Sequence, residues 1–250
     1  MNPKVFDNLV AKFAKASSVT VLTGAGMSAE SGVPTFREAQ TGLWSKFDPK
    51  ELATPDAFQR NPTLVWEWYL WRRQIVANAK PHAGHYVLAE LQKRVSKFTL
   101  VTQNVDSLHQ IAGSTDVLEL HGNITRARCT KDGRTIPVDA AGDEVPPRCP
   151  HCGAMLRPDV VWFTEPLPAH ALAAADKAAR ECDLFLSIGT SGSVYPAAQL
   201  PYQAKDAGAD VFIINKDASA NPHTPGISFI EAEAGIVLPE LLARLKASAL

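Results

Sequence analysis

The sequence predicts an α/β protein: a doubly wound parallel sheet that carries a smaller second lobe. Three observations lead there. Short, continuous apolar runs recur along the chain, as expected of strands buried on both faces of a sheet. Helix-like stretches lie between those runs, the alternation of a parallel sheet. Two segments, 38–80 and 125–158, break the alternation and read as insertions that together build the second lobe.

The chain opens on "MNPKVFDNLVAKFAKASSV", where Val5, Phe6, Leu9, Val10 and Phe13 keep helical spacing. This stretch lacks the apolar core of a signal peptide, and Asp7 argues against a transit peptide. No apolar run reaches the roughly 18 residues that a membrane-spanning helix needs. A cytoplasmic protein with no membrane partner is therefore expected. The first strand, "VTVLT" (19–23), runs into "TGAGMSAESGVPTFR" (23–37). Gly24 and Gly26 let the backbone approach a phosphate, and a helix N-terminus after them supplies N–H donors. A plain tight turn explains G-A-G as well, and the stretch departs from the G-x-G-x-x-G fingerprint of hydride-transfer enzymes. "VPTFR" reads as a loop presenting Phe36 and Arg37.

Residues 38–80 are rich in aromatics and look helical after a loop. Within them "WEWYLWRRQ" (66–74) sets Tyr69 and Arg72 at i and i+3, neighbours on a helix surface. A helix over 82–94 leads to the strand "FTLVT" (98–102), which ends in "TQNVDSLH" (102–109). Gln103, Asn104 and Asp106 thus stand at a strand-to-helix turn, where Asn104 or Asp106 can also serve simply as a cap. The strand "VLEL" (117–120) ends in "ELHGN" (119–123), with His121 at its tip. A lone histidine is more often structural, but one at a strand's carboxyl end, with Gln103–Asn104 at another, is placed for general-base work.

Residues 125–158 carry three of the four cysteines among the turn signals "KDG", "AGDE" and "PP". A helix over roughly 168–181 precedes the strand "LFLSIG" (184–189), whose end "GTSGSVYP" (189–196) offers Gly189, Thr190 and Ser191 to phosphates. A helix over 196–207 leads to "VFIIN" (211–215) and then "NKD", where Asn215 and Asp217 offer an amide and a carboxylate to ribose hydroxyls. A last helix covers 238–248. In such sheets ligands bind beyond the carboxyl ends of the strands, so these polar residues are where function is expected.

The 250 residues are 46% apolar and 20% charged with a formal net charge of −1, so the basic excess of a nucleic-acid binder is missing and no nucleic-acid partner is expected. Four cysteines, two of them in "CPHC", point to a reduced compartment and a metal site rather than a disulfide framework.

Taken in order and spacing, "GAGMSAESGVPTFR", "TQNVDSLH", "HGN", "CPHC", "VVWF" and "GTS" resemble the sirtuins, NAD-dependent protein lysine deacylases, over about residues 8–242. The resemblance implies a Rossmann-like NAD-binding domain from 1–37, 81–124 and 159–250, with 38–80 and 125–158 as the helical and zinc-ribbon-like parts of a small domain. It implies that NAD is consumed as a co-substrate, that nicotinamide and O-acyl-ADP-ribose are released, and that His121 is the general base on the ribose hydroxyls. Gly24, Ala25 and Gly26 would hold the pyrophosphate with help from Gly189, Thr190 and Ser191. Phe36 would cover the ribose, and Arg37 would hold the loop and phosphates. Gln103 and Asn104 would orient the ribose and a water, and Asp106 would contact the nicotinamide amide. Asn215 and Asp217 would face the adenosine ribose, with Ala234 near the adenine. Val161, Trp162 and Phe163 of "VVWF" (160–163) would pair as an extended strand with the acyl-lysine peptide. A monomer is expected.

One branch of that family carries Y-x-x-R in its acyl channel and favours malonyl, succinyl or glutaryl lysine. Tyr69-Leu70-Trp71-Arg72, "PHAGH" (81–85) and "GTSGSVYPAA" (189–198) resemble that branch. A guanidinium grips a carboxylate through paired, charge-assisted hydrogen bonds, and a phenol adds another. The plainer alternative is a core tyrosine beside a surface arginine. The family's structural zinc sits in two C-x-x-C pairs. Here Cys149 and Cys152 form one pair, while Cys129 is followed by Asp132 where the second cysteine belongs. Three thiolates and a carboxylate make an acceptable tetrahedral set; a metal-free module is the alternative. Thr35 and Thr164 also depart from the pattern, which usually has aspartate and glycine there. On the sequence alone four further alternatives stay open: mainly deacetylation, ADP-ribosyl transfer or NAD hydrolysis on the same fold, a non-catalytic NAD sensor, and a dehydrogenase.

Overall fold

The computed structural model describes residues 1–35, 46, 48, 52–142 and 144–248. In chain order the strands are β1 (Ser18–Thr23), β2 (Lys97–Thr102), β3 (Leu118–Glu119), β4 (Gly122–Cys129), β5 (Thr135–Pro137), β6 (Leu156–Val160), β7 (Leu184–Ile188), β8 (Asp210–Asn215) and β9 (Ile227–Glu231). The α-helices are α1 (Pro3–Lys15), α2 (Ala25–Ala29), α3 (Pro55–Arg60), α4 (Pro62–Asn78), α5 (Ala83–Gln92), α6 (Leu108–Ile111), α7 (Ala169–Glu181), α8 (Leu200–Asp206) and α9 (Ala234–Ala247).

Six strands form one sheet in the order β3-β2-β1-β7-β8-β9, and every pairing in it is parallel. The expected doubly wound sheet is therefore present. The order in which the chain adds strands reverses between β1 and β7, which places the binding crevice beyond their carboxyl ends. The register brings those ends level: Thr23 lies opposite both Thr102 and Ile188, and Ile188 opposite Ile214. Helices α1, α5 and α9 cover one face through Phe6, Leu9, Leu88, Leu91, Val237 and Leu241, and α7 and α8 cover the other through Ala175, Ala179, Leu200 and Ala204. Helix α1 is ordered by its ends as well as by its apolar stripe. Asn2 caps it by accepting the N–H of Lys4, and Pro3 needs no donor at the first position.

Strand β9 departs from the expectation. "ISFIE" has only one fully buried residue, Ile230, because it is an edge strand, so it lacks the continuous apolar run that marks the others. Helix α9 begins at Ala234, four residues before the predicted start at 238.

The two segments that break the alternation share one core of their own. Antiparallel strands β5-β4-β6 form a second sheet, and Leu156, Ile124, Ile136 and Cys129 from it pack against Phe58, Val65, Trp66, Trp68 and Tyr69 of α3 and α4. Trp66 and Trp68 are fully buried, and truncating either to alanine would cost about 3–5 kcal/mol. The Trp66 indole donates to the Leu156 carbonyl at 2.8 Å, which pins α4 to β6 without leaving a buried N–H unpaired. A strand was expected over 160–163; β6 instead ends at Val160, and the chain turns there.

Candidate active site

Gly24 and Gly26 dock on the end of β7. The Gly24 N–H donates to the Ile188 carbonyl at 3.0 Å and the Gly26 N–H to the Gly189 carbonyl at 2.8 Å. A Cβ on Gly26 would lie 2.8 Å from the Gly189 Cα, so this contact is open to glycine only, and Gly189 itself has φ +62°. Ala25 opens α2 beside it. The result is a backbone cradle at the point where the sheet reverses. Gln103, Thr190, Ser191 and Gly192 line the adjoining cleft. Thr190 is held by its hydroxyl against Ser187 Oγ at 2.8 Å, and the Asn215 amide donates to the Thr190 carbonyl at 2.8 Å. Asn215 Oδ1 in turn accepts the Asp217 N–H, and Asp217 Oδ1 accepts that of Ser219. Ala234 is buried at the first turn of α9, where the Gly235 N–H donates to Glu30.

Asn104 is buried, and its side-chain NH2 donates to the Gly24 carbonyl at 2.9 Å and to Ser28 Oγ at 2.8 Å. That arrangement uses both donors of the amide and leaves Oδ1 as its acceptor. Asp106 accepts the Leu108 N–H at 2.9 Å and is hydrogen-bonded to Ser28, yet burial holds its carboxyl above the usual range, opposed in part by Arg72.

His121 follows β3, and its Nδ1 lies 2.9 Å from the Gln103 carbonyl. A carbonyl only accepts, so Nδ1 carries the proton and Nε2 presents a lone pair. Burial pushes the imidazole below its ordinary pKa, with the Gln103 bond pulling the other way. The structure thus fixes the tautomer of this imidazole, with Nε2 as its acceptor.

Tyr69 and Arg72 come from α4, in the second core. The Tyr69 hydroxyl is buried, accepts the Trp162 indole N–H at 3.0 Å and is pushed up to about 12 by desolvation. Arg72 lies with its guanidinium 5.2 Å from the Trp68 ring centroid; burial lowers its pKa, and Tyr69 and Asp106 act on it in the opposite sense. Tyr69 is therefore inside the protein and Arg72 partly so, and Arg72 and Asp106 act on each other electrostatically. Arg73 pairs with Asp139 at the surface, 2.9 Å away.

The sequence model described as "Sir2 family" matches residues 24–196. The chain belongs to the Sir2 family. It is 52% identical to an NAD-dependent protein deacylase of Pyrobaculum aerophilum, covering 96% of this chain and 95% of that protein. The fold superposes on a Sir2 homologue in complex with NAD with a TM-score of 0.89 at 41% identity, over 98% of this chain and 95% of the other. A Sir2 protein bound to a myristoylated histone peptide superposes with a TM-score of 0.78 at 34% identity, over 99% of each chain.

In this sirtuin the Sγ atoms of Cys129, Cys149 and Cys152 lie within 4.8 Å of one another. Two matching turns bring them there: the Gly133 N–H donates to the Cys129 carbonyl, and that of Gly153 to the Cys149 carbonyl. Asp132 occupies in the first turn the place that Cys152 holds in the second. Its carboxylate contacts Cys129 and accepts the Arg134 N–H at 3.0 Å, outside the three-thiol group. Three convergent thiols fit a structural zinc, for which thiolates are the preferred ligands. Cys182 is buried beneath the large sheet.

Phe36 and Arg37 lie outside the described residues. Along "VVWF" the backbone donors are already engaged: Val161 to the His121 carbonyl, Trp162 to Glu165 and Phe163 to the Ala53 carbonyl. Two of its carbonyls are engaged as well, Val160 by Arg157 and Trp162 by the Glu165 N–H. Trp162 is buried, with its indole turned into the second core rather than toward a groove.

The structure also brings in residues that sequence reasoning passed over. Ser28 links Asn104 to Asp106. His109 Nε2 donates to Thr23 Oγ1 at 2.9 Å, and Thr23 donates on to Thr102, which holds the Asn104 N–H. Both lie inside quoted motifs, which was the available signal. His109 packs against the buried His85, and burial pushes its pKa down to about 4. Among the described residues no helix is long and apolar enough to cross a membrane.

Proposed function

We propose that the chain removes acidic acyl groups, succinyl and malonyl above all, from protein lysines, and retains some deacetylation. It is an NAD-dependent protein deacylase, like the relatives it matches. The observation that carries the acyl preference is the pair of a buried Tyr69 and a partly buried Arg72, which Arg72 links electrostatically to Asp106. An acyl chain reaching the ribose from the second lobe ends beside a guanidinium and a phenol. Neutral chains offer these groups nothing, whereas a carboxylate takes charge-assisted hydrogen bonds from both.

NAD supplies the acyl acceptor, its ribose, once nicotinamide departs. The chain's own residues do the rest. The Gly24–Gly26 cradle and the Thr190 loop hold the pyrophosphate on backbone N–H groups and hydroxyls. Asn104 Oδ1 orients the ribose, and Asp106 faces the nicotinamide amide. His121 Nε2 takes the proton from a ribose hydroxyl while Nδ1–H stays on Gln103. Asn215 and Asp217 lie toward the adenosine ribose, with Ala234 near the adenine. Cys129, Cys149 and Cys152 would hold a structural zinc, with Asp132 brought in from beside Cys129 as the fourth ligand, and the metal would brace the small sheet without taking part in the reaction. Protein segments bearing acyl-lysine bind along Val161–Phe163. The protein acts as a monomer in the cytoplasm.

The test is a panel of acetyl, malonyl, succinyl, glutaryl and crotonyl lysine peptides with NAD, compared by kcat/KM. Succinyl and malonyl peptides are expected to lead. A flat profile or an acetyl lead establishes the deacetylase reading instead. Free ADP-ribose in place of O-acyl-ADP-ribose establishes NAD hydrolysis.

A further inference from the structure

Trp162 lies at the seam between the two halves of the site. Its neighbour Val161 donates to the carbonyl of His121, and its own indole N–H reaches Tyr69 Oη at 3.0 Å. Three contacts fix the ring. The Arg157 guanidinium covers one face at 3.4 Å from the centroid, and the Phe58 ring packs at 5.2 Å. Glu165 accepts the Trp162 backbone N–H at 2.8 Å and also grips Arg157 at 2.8 Å. An indole clamped in this way is a rigid donor.

An indole N–H donates and never accepts. Once it occupies one lone pair of the Tyr69 oxygen, the phenolic proton must point away from the indole. That proton has no acceptor among the described residues, although the side chain is only 1% exposed. A buried donor without an acceptor is costly, and a ligand that supplies one is favoured for that reason.

We infer that Trp162 is a positioning residue for acyl selection: with Arg157 and Glu165 it orients the Tyr69 hydroxyl so that its proton meets the carboxylate of an acidic acyl chain. This rests on the acidic-acyl reading above and goes further, because it assigns part of the selectivity to a side chain that does not touch the carboxylate. The indole works through Tyr69 and not through the peptide.

The experiment is a double-mutant cycle on the full chain with Trp162→Phe, Tyr69→Phe and the pair, plus Arg72→Met, each assayed on succinyl and acetyl peptides of one sequence. The readout is the ratio of the two kcat/KM values. Losing one hydrogen bond's worth of orientation lowers that ratio about threefold to tenfold in Trp162→Phe. In the Tyr69→Phe background the same change has no further effect, since the hydroxyl it orients is gone. The benzothienyl analogue of tryptophan at position 162 keeps the ring's shape and lacks its N–H, so it must reproduce the Trp162→Phe ratio even if the phenylalanine variant folds poorly. Multiplicative losses in the double variant overturn the inference, as does an unchanged ratio in both the Trp162→Phe and benzothienyl proteins while Arg72→Met shifts it. An unchanged ratio in Arg72→Met overturns the acidic-acyl reading, and this inference with it.

Discussion

Replacing Arg72 with methionine removes the one formal positive charge assigned to the acyl carboxylate and keeps an unbranched apolar stem as far as the arginine Nε. A hydrogen bond to a charged group is worth about 1.5–3 kcal/mol, so kcat/KM for a succinyl peptide is expected to fall by about 10- to 150-fold. The structure adds a complication that decides how the assay must be read. Arg72 also acts on Asp106, whose carboxyl burial already holds high, so the substitution disturbs the cofactor end for every substrate. The absolute rate is therefore a poor witness. The ratio of succinyl to acetyl kcat/KM cancels the shared loss and isolates the carboxylate contact. It is expected to drop at least about tenfold. Salt matters less to it than to an exposed pair, because the guanidinium is partly buried. Equal losses on the two peptides would refute the reasoning, since they would leave Arg72 acting only through Asp106.

Five further outcomes follow from the geometry. His121→Ala abolishes deacylation while NAD binding, followed by calorimetry, persists. In the wild type the acidic limb of kcat/KM lies below the ordinary histidine value of about 6.5, because burial lowers the His121 pKa and the neutral base survives to lower pH; a limb at pH 7 or above contradicts this. Gly26→Ala places a Cβ 2.8 Å from the Gly189 Cα, and NAD affinity falls about tenfold or more as the cradle opens; an unchanged Kd removes the cradle assignment. Thr164, a β-branched residue at φ +73°, is strained, so Thr164→Gly gains about 0.5–1 kcal/mol net of glycine's entropy and raises Tm by about 1–4 °C, read by a thermal melt. Purified protein carries about one zinc by elemental analysis, and chelation lowers Tm; a zinc-free chain with the same melting point rules the metal out.

The large sheet was legible because its interior strands are apolar on both faces, and "VTVLT" or "LFLSI" can hardly be placed elsewhere. The strand-end polar residues were legible for the same reason, since a parallel sheet delivers them to one crevice. What sequence could not show was direction. "VVWF" reads as a peptide-binding strand, yet Glu165 and the carbonyls of His121 and Ala53 take its donors, and Trp162 turns inward. Neither Arg157 nor Glu165 carries a local signal, because their pairing forms across a turn whose geometry depends on Thr164. Ile227–Glu231 escaped notice as a strand because an edge position relaxes the need for burial on both faces. The aromatics of "WEWYLWRRQ" were legible as a core. That Tyr69 would keep a hydroxyl bond inside that core was not.

The two halves of the site are held by different cores, and this has a functional consequence. Gly24, Gln103, Asn104 and His121 stand at the ends of level parallel strands and are cross-linked by side-chain-to-backbone bonds, Asn104 to the Gly24 carbonyl and His121 to that of Gln103. Sites built on such elements are held more tightly than sites on loops. Tyr69 and Arg72 belong instead to the helix and small-sheet core, whose packing does not pass through the cradle. Several contacts join the halves, among them Val161 to the His121 carbonyl, Ile124 to the Val105 carbonyl, and Asn123 and Arg126 to Glu119. Those are made by the small sheet, whereas the acyl pair reaches the other half through Arg72 acting on Asp106. Changes in the acyl pair therefore alter which chain is removed more readily than whether NAD is consumed. Changes in the cradle do the reverse. A substitution confined to α4 that abolished NAD binding without unfolding the chain would break this division.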